Sequence, residues 1–205
     1  MQSRTHWEQV YTNKAADEVS WFQPHAKRSL ELIGEARLPR DAPIIDVGGG
    51  ASTLVDDLLA EGYDNLSVLD LSSTALAAAR SRLGAGAAHV HWREADILDA
   101  GLAQQAYQLW HDRAVFHFLT TTEERRAYVD AVRHAVKPGG FVIIATFADD
   151  GPSQCSGLPA MRYSAEALHA EFGEPFQLLR HVRETHRTPG GNEQKFVYCL
   201  MRLSG

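Results

Sequence analysis

The stretch Asp46-Val47-Gly48-Gly49-Gly50-Ala51-Ser52 constrains this chain more than any other. It follows a short apolar run, Pro43-Ile44-Ile45-Asp46-Val47. It opens a helical stripe, Leu54, Val55, Leu58 and Leu59, within Ser52 to Ala60. A strand that stops at glycines and reopens as a helix lets backbone approach a ligand closely. In open α/β sheets ligands bind outside the carboxyl ends of strands, where this turn lies. A second apolar run, Leu66-Ser67-Val68-Leu69-Asp70, ends on an acid about twenty residues after the glycines. A carboxylate at that spacing accepts hydrogen bonds from ribose hydroxyls, so the pattern points to a nucleoside ligand. The plainer reading is a tight turn beside a surface aspartate.

The rest of the chain continues the alternation. Gly62 suits the stop of the first core helix. Ser72 or Ser73 caps a helix carrying Leu76, Ala79 and Leu83, broken by Gly84-Ala85-Gly86. His89-Val90-His91-Trp92-Arg93 reads as a third strand ending near Asp96, and Tyr107-Gln108-Leu109-Trp110-His111 as a fourth. Thr121 and Glu124 are spaced as a capping box for a helix from about Glu123, with Tyr128, Val129, Val132, Ala135 and Val136 as its stripe. Lys137-Pro138-Gly139-Gly140 ends it and turns into a fifth strand, Phe141 to Phe147. After an irregular segment, Ala148 to Ala160, a short helix runs from Ser164 to Phe172 and stops at Gly173. Two closing strands, one with Phe176, Leu178 and Val182 and one from Phe196 to Leu203, flank the hairpin signal Thr188-Pro189-Gly190-Gly191-Asn192. This predicts an α/β fold, a parallel sheet covered on both faces, with one antiparallel strand from the hairpin and right-handed crossovers.

The first forty residues read as an aromatic helical cap. Trp7, Val10 and Tyr11 fall at i, i+3, i+4, and Leu30, Ile33 and Arg37 continue a one-sided pattern after Pro24. Pro39 and Pro43 bound a linker. One domain over 1–205 is expected, with a cap at 1–40 and a core at 41–205.

Composition narrows the function classes. Lys+Arg total 20 against 26 Asp+Glu, a net charge of −6, so the net positive field that dominates nucleic-acid affinity is missing. So is the polybasic signature of a membrane-surface protein. No apolar run approaches the ~18 residues of a membrane span; the longest is Phe141-Val142-Ile143-Ile144-Ala145. The start, Met1-Gln2-Ser3-Arg4-Thr5-His6-Trp7-Glu8, lacks the apolar stretch of a signal peptide, so the expected location is cytoplasmic. Cys155 and Cys199 are too few for a disulfide framework, and the ten histidines show no metal-binding spacing, so no metal is expected. His89 and His91 read as ordinary residues on one strand face. Arg180, His181, Arg183, His186 and Arg187 read as a solvated strand face.

A dinucleotide fold asks for a third glycine where this chain has Thr53. The loop resembles instead the Asp-x-Gly-x-Gly-x-Gly loop of class I S-adenosylmethionine-dependent methyltransferases. Arg93-Glu94-Ala95-Asp96-Ile97 resembles the family's motif after the third strand. His111-Asp112-Arg113-Ala114-Val115-Phe116-His117-Phe118-Leu119 resembles the end of its fourth strand, and Lys137-Pro138-Gly139-Gly140-Phe141 its turn before the fifth. The opening, His6-Trp7-Glu8-Gln9-Val10-Tyr11 through Val19-Ser20-Trp21-Phe22-Gln23-Pro24, is similar to the cap of small bacterial members. Two departures stand out. Ser52 replaces the third glycine of the loop, and Tyr107-Gln108 replaces the usual Phe-Asp entering strand four.

The resemblance implies a doubly wound seven-stranded sheet of order 3-2-1-4-5-7-6 and transfer of a methyl group from S-adenosylmethionine. It implies that Gly48, Gly49 and Gly50 admit the methionine part of the cofactor, with Asp46 supporting the loop or the amino group. Asp70 would hold the ribose with Leu71 against adenine, and Asp96 and Ile97 would frame the adenine. Asp112, or the backbone of His111, would meet the ammonium, and Trp21 would fold over the cofactor or pack in the cap. His117 is the position for a general base if the acceptor needs one, or else a packed histidine. Tyr11, His117, Arg162 and Tyr163 would line the acceptor pocket, Arg162 favouring an anionic acceptor. Cys155 is either a substrate-side thiol or a small loop residue. A small-molecule acceptor is expected, with a protein lysine as the alternative. A nicotinamide-dependent oxidoreductase and a cofactor-binding scaffold are the readings from other classes.

Overall fold

The computed structural model describes residues 4–205, so the reading at Met1-Gln2-Ser3 lies outside the described residues. In chain order the elements open with α1 (Arg4–Asn13), α2 (Lys27–Glu35), β1 (Ile44–Val47), α3 (Leu54–Ala60), β2 (Leu66–Asp70) and α4 (Ser73–Leu83). A 3₁₀ turn, Gly84–His89, leads to β3 (Val90–Glu94), β4 (Tyr107–Arg113), α5 (Thr122–Ala135) and β5 (Val136–Ala148). Three two-residue strands follow, β6 (Gln154–Cys155), β7 (Leu158–Pro159) and β8 (Arg162–Tyr163). The chain closes with α6 (Ala165–Phe172), β9 (Phe176–Arg187) and β10 (Glu193–Leu203).

The main sheet runs β3-β2-β1-β4-β5-β10-β9, which is the expected order once the long strands alone are counted. β1 pairs in parallel with both β2 and β4, while β10 is antiparallel to both of its neighbours. The three short strands were not foreseen: β8 pairs in parallel with β5, and β6 and β7 form an antiparallel pair within the segment read as irregular. The chain builds outward from β1 through β2 to β3, then starts again on the other side of β1 with β4. That reversal is the switch point where an open α/β sheet binds ligands.

Side chains alternate across the pleat. Ile45, Val47, Trp110, Val142 and Ile144 share one core layer with Tyr128 and Val132 of α5 and Leu168 of α6. Ile44, Val68, Leu109, Ile143 and Ala145 share the other with Leu32 and Ile33 of α2, Leu54 and Leu58 of α3 and Leu76 of α4. The β1–β4 register sets Asp46 beside His111 and Val47 beside Asp112. His111 therefore shares the face of Asp46, and Asp112 lies on the opposite one.

Local signals account for the helix starts. The Ser72 hydroxyl accepts from Ala75 N at 3.1 Å. Thr121 and Glu124 form the reciprocal capping box. The Glu8 carboxylate of α1 accepts from Ser73 N at 2.6 Å and Thr74 N at 3.3 Å, docking the cap on the start of α4. Burial pushes the Glu8 pKa up, but the bonds from Thr74 and Ser73 outweigh it and hold it at about 2.

Three sequence readings need correction. Arg37 lies past the end of α2 with φ of 49°, so the cap stripe stops before it. β5 starts at Val136, and Lys137-Pro138-Gly139-Gly140 runs within it. A register shift opposite Tyr107 and Leu109 absorbs that irregular backbone. His89 closes the 3₁₀ turn and does not join β3. The basic run on β9 is ion-paired: Arg180 with Glu31 and Glu35, Arg183 with Asp149 and Asp150, Arg187 with Glu193. Among the described residues no helix is long and apolar enough to cross a membrane.

Asp112 organises the turn that follows β4. It is fully buried and accepts from Val115 N at 2.8 Å, from Phe116 N at 3.0 Å and from the Tyr128 hydroxyl. Burial pushes its pKa up to about 6 despite the Tyr128 bond. Asp112→Ala strands two backbone donors and a phenol in the core, so urea unfolding is expected to show a loss of ~3 kcal/mol.

Candidate functional site

The glycine turn is possible only without side chains. Gly48 has φ of +69°, its N–H donates to Leu69 O at 2.7 Å, and a Cβ there would lie 2.0 Å from Val115 Cγ2. A Cβ on Gly49 would lie 2.5 Å from Asp46 Oδ2. The loop backbone and the β1 carboxylate are thus in direct contact.

Two cavities adjoin this turn. The first is an open cleft with about 850 Å³ of space counted out into the solvent at its mouth. Gly48, Asp70, Leu71, Asp96 and Ile97 form one part of its wall, and Trp7, Tyr11, Trp21 and Phe118 another. These aromatics pack edge to face, with ring centroids 5.8 Å apart for Trp7–Trp21, 6.0 Å for Tyr11–Trp21 and 5.2 Å for Trp7–Phe118. The second cavity, about 530 Å³, is lined by Asp46, Gly49, Thr53, His111 and Ser29 among others. Gly48, Tyr11, Trp21 and Arg113 border both.

The charges are placed by local bonds. Asp70 Oδ1 accepts from Ser72 N at 2.8 Å. Burial, with help from the nearby Asp46 charge, pushes the Asp70 pKa up to about 7. Asp46 Oδ1 meets His111 Nδ1 at 2.7 Å, while its Oδ2 is buried with no hydrogen-bond partner among the described residues. Asp96 Oδ1 accepts from Leu98 N at 2.9 Å and starts a short 3₁₀ turn. Arg113 donates to the Tyr198 hydroxyl at 2.9 Å and to Trp21 O at 3.0 Å, and lies over the Phe196 ring at 4.4 Å. Glu184 accepts from the Tyr198 hydroxyl at 2.8 Å and from Gln23 Nε2 at 3.3 Å. The Trp21 segment is thereby strapped to the sheet. The second cavity presents one carboxylate and one guanidinium, the charge pattern that complements an amino-acid zwitterion.

The structure sorts the predicted residues. Trp21, Asp46, Gly48, Gly49, Asp70, Leu71, Asp96 and Ile97 line one or both cavities, as does Tyr11. Gly50 lies in the turn but lines neither, its α-carbon facing the Asp70 carboxylate. Asp112 lines neither, because the pleat turns it away and three donors occupy it. His117 also lines neither. It is fully buried, Nδ1 accepts from Phe147 N at 3.3 Å, and burial pushes its pKa down to about 3. Arg162 is exposed on β8, and Tyr163 packs on Phe116 in the core, with ring centroids 5.9 Å apart.

Other residues arrive without having been assigned a pocket role. Trp7, Arg113 and Phe118 all line the first cavity, and all stand inside the quoted motifs. Cys155, read from the sequence as either a substrate-side thiol or a small loop residue, lines it too, its thiol pushed up by burial to about 11 and so kept protonated. Strand parity was the missed signal for His111: two neighbouring parallel strands place Asp46 and His111 on one face.

Residues 44–140 match a family model described as a methyltransferase domain. The chain is 22% identical to the human EEF1A lysine methyltransferase 2 over 97% of its own length and 84% of that protein. Among solved structures it resembles a protein described under conversion of a disulfide bond into a thioacetal group during echinomycin biosynthesis. That similarity has a TM-score of 0.77 and 21% identity, covering 98% of this chain and 92% of the other. It also resembles Burkholderia thailandensis 1,6-didemethyltoxoflavin-N1-methyltransferase, solved with bound 1,6-didemethyltoxoflavin and S-adenosylhomocysteine. There the TM-score is 0.69 and the identity 18%, over 99% and 84% of the two chains.

A carboxylate held at about 7 destabilises the folded protein when ionised. Its folded pKa lies above the unfolded one, so the stability it contributes is full below about pH 4 and is lost as pH rises through 7. Asp70→Asn is therefore expected to be more stable than the parent at pH 8, by up to ~4 kcal/mol, and to lose that advantage near pH 4. Urea unfolding of the two proteins across pH measures it.

Proposed function

We propose that this chain, a class I S-adenosylmethionine-dependent methyltransferase, moves the cofactor's methyl group to an amine nitrogen of a small molecule. The observation that carries the reading is the aromatic-walled cavity beside Gly48 and Asp70, with no histidine among its described lining residues. Two features fit the cofactor: the glycine cradle that a Cβ would fill, and the unpartnered Asp46 Oδ2 in a compartment with mixed charge.

In this reading Gly48 and Gly49 admit the methionine tail, and Asp46 takes its ammonium together with the backbone of His111 in place of Asp112. Asp70 accepts from the ribose hydroxyls, while Leu71, Asp96 and Ile97 frame the adenine. Trp21, fixed through its carbonyl by Arg113, closes over the site. When bound, S-adenosylmethionine supplies an electrophilic methyl carbon. The chain holds the acceptor in line with it and keeps water out.

The acceptor atom follows from what the first cavity lacks. Burial keeps the thiol of Cys155 and the phenol of Tyr11 protonated, and both cavity carboxylates, Asp70 and Asp96, belong to the nucleoside end. An alcohol would need a base. An amine attacks with its own lone pair, and apolar walls near a guanidinium lower an ammonium's pKa so that it enters neutral. The extra proton leaves to water after transfer.

A lysine side chain of a protein is the second reading, favoured by the relatives that carry that name along almost the whole chain. Radiolabelled methyl donor tests both. Label in acid-soluble product from a pool of small amines supports the first, label in acid-precipitated protein the second, and label in neither overturns the proposal. Phe118→Ala is expected to raise KM for the acceptor by about tenfold through lost apolar contact. Its affinity for S-adenosylhomocysteine, measured by calorimetry, should stay within about twofold, since this ring faces the acceptor half.

A further inference from the structure

We propose that Ser29, His111 and Asp46 form a relay that aims the Asp46 carboxylate at the cofactor's ammonium and couples docking of α2 to cofactor binding. The proposal rests on the cofactor reading above. In it Ser29 and the His111 side chain are positioning residues that act through Asp46.

The geometry is a continuous buried line. His111 Nδ1 is 2.7 Å from Asp46 Oδ1, and His111 Nε2 is 2.8 Å from Ser29 Oγ. Relative exposures are 1% for Ser29, 2% for His111 and 4% for Asp46. A carboxylate only accepts, so Nδ1–H donates to Oδ1, and Nε2 on the far edge of the ring meets the Ser29 hydroxyl. The ring is thereby held at both nitrogens.

The other oxygen is the ligand end. Oδ2 is buried and has no partner among the described residues, and it lies where a Cβ on Gly49 would reach 2.5 Å. A buried anionic oxygen without a donor is costly, and an N–H-bearing cation is what relieves it. The second cavity, which Asp46, Gly49, Ser29 and His111 all line, offers that cation entry.

The three residues come from three elements, and only one belongs to the cap. Asp46 and His111 are register partners on β1 and β4, so their pairing is built into the sheet. Ser29 lies on α2, which precedes the sheet. If α2 shifts, the ring loses the bond that holds its far edge and Oδ2 loses its aim. Coupling of this kind is reciprocal, so a tail bound at Asp46 steadies α2.

Calorimetry with two ligands tests this, because S-adenosylhomocysteine has the amino-acid tail and 5′-methylthioadenosine has only the nucleoside and thioether. His111→Ala is expected to weaken S-adenosylhomocysteine about tenfold or more, the scale of one charge-assisted bond, and methylthioadenosine less than about twofold. Ser29→Ala, which conserves volume, should show the same selectivity with a smaller loss, and His111→Asn, which keeps a donor toward Oδ1, should recover much of it. Hydrogen exchange should show α2 amides protected by S-adenosylhomocysteine in the parent and not in Ser29→Ala. Equal losses for both ligands, or none for the tailed one, would overturn the relay. If the parent binds methylthioadenosine but gains nothing from the tail, the Asp46 contact fails and the relay with it. If it binds neither ligand, the cofactor reading itself fails.

Discussion

The constraint beneath this site is steric. The loop after β1 passes so close to two carboxylates that no side chain fits on its inner edge: Asp46 Oδ2 is against Gly49, and Asp70 Oδ2 against Gly50. Two acids are thereby held in one buried neighbourhood, and the repulsion between them helps raise Asp70. Such an arrangement is poor for stability and suited to a polar ligand that supplies donors to both. Burial that disfavours charge becomes a source of affinity for a ligand that brings those donors.

The cap is attached in two ways: α2 packs Leu32 and Ile33 into the core, whereas α1 and the Trp21 segment are held by directional bonds. α1 buries none of its described residues, yet Glu8 holds it at the start of α4. The segment around Trp21 is held by Arg113 through a carbonyl, by Thr53 Oγ1 donating to Gln23 O at 2.9 Å, and by His186 Nε2 meeting Ser20 O at 2.8 Å. Directional bonds set where the aromatic rings stand, and the rings set the shape of the opening. α1, none of whose described residues is buried, can lift away more readily than α2, which suits a site that must admit and release two molecules.

Much of the fold was legible because its signals are local. The glycine turn, Asp70 at the end of β2, Ser72 as a cap and the Thr121–Glu124 box each depend on residues a few positions apart. Leu71, Asp96 and Ile97, positions that the resemblance singles out after strand ends, do line the first cavity. What escaped was whatever depends on which way a side chain points. Asp112 and His111 are neighbours in sequence, and only the register of β4 against β1 sends one to the core and the other to the cavity. His117 takes the packed alternative of its two readings, because a 3₁₀ turn, Phe116–Phe118, carries it inward against Phe147. Arg162 and Tyr163 escaped because the unforeseen strand β8 carries them to the edge of β5 and away from the opening.

The ion pairs along β9 have a meaning of their own. This is the last strand of the sheet, twelve residues long, with one side of its backbone unpaired within it. A bare edge of that length is a template for another chain's strand. Arg180, Arg183 and Arg187, each tied to acids of the same molecule, ring the edge with charges that an incoming strand would have to dehydrate. The arginines that read as a solvated strand face in the sequence thus put charge along a bare edge, a feature that disfavours pairing with a further strand.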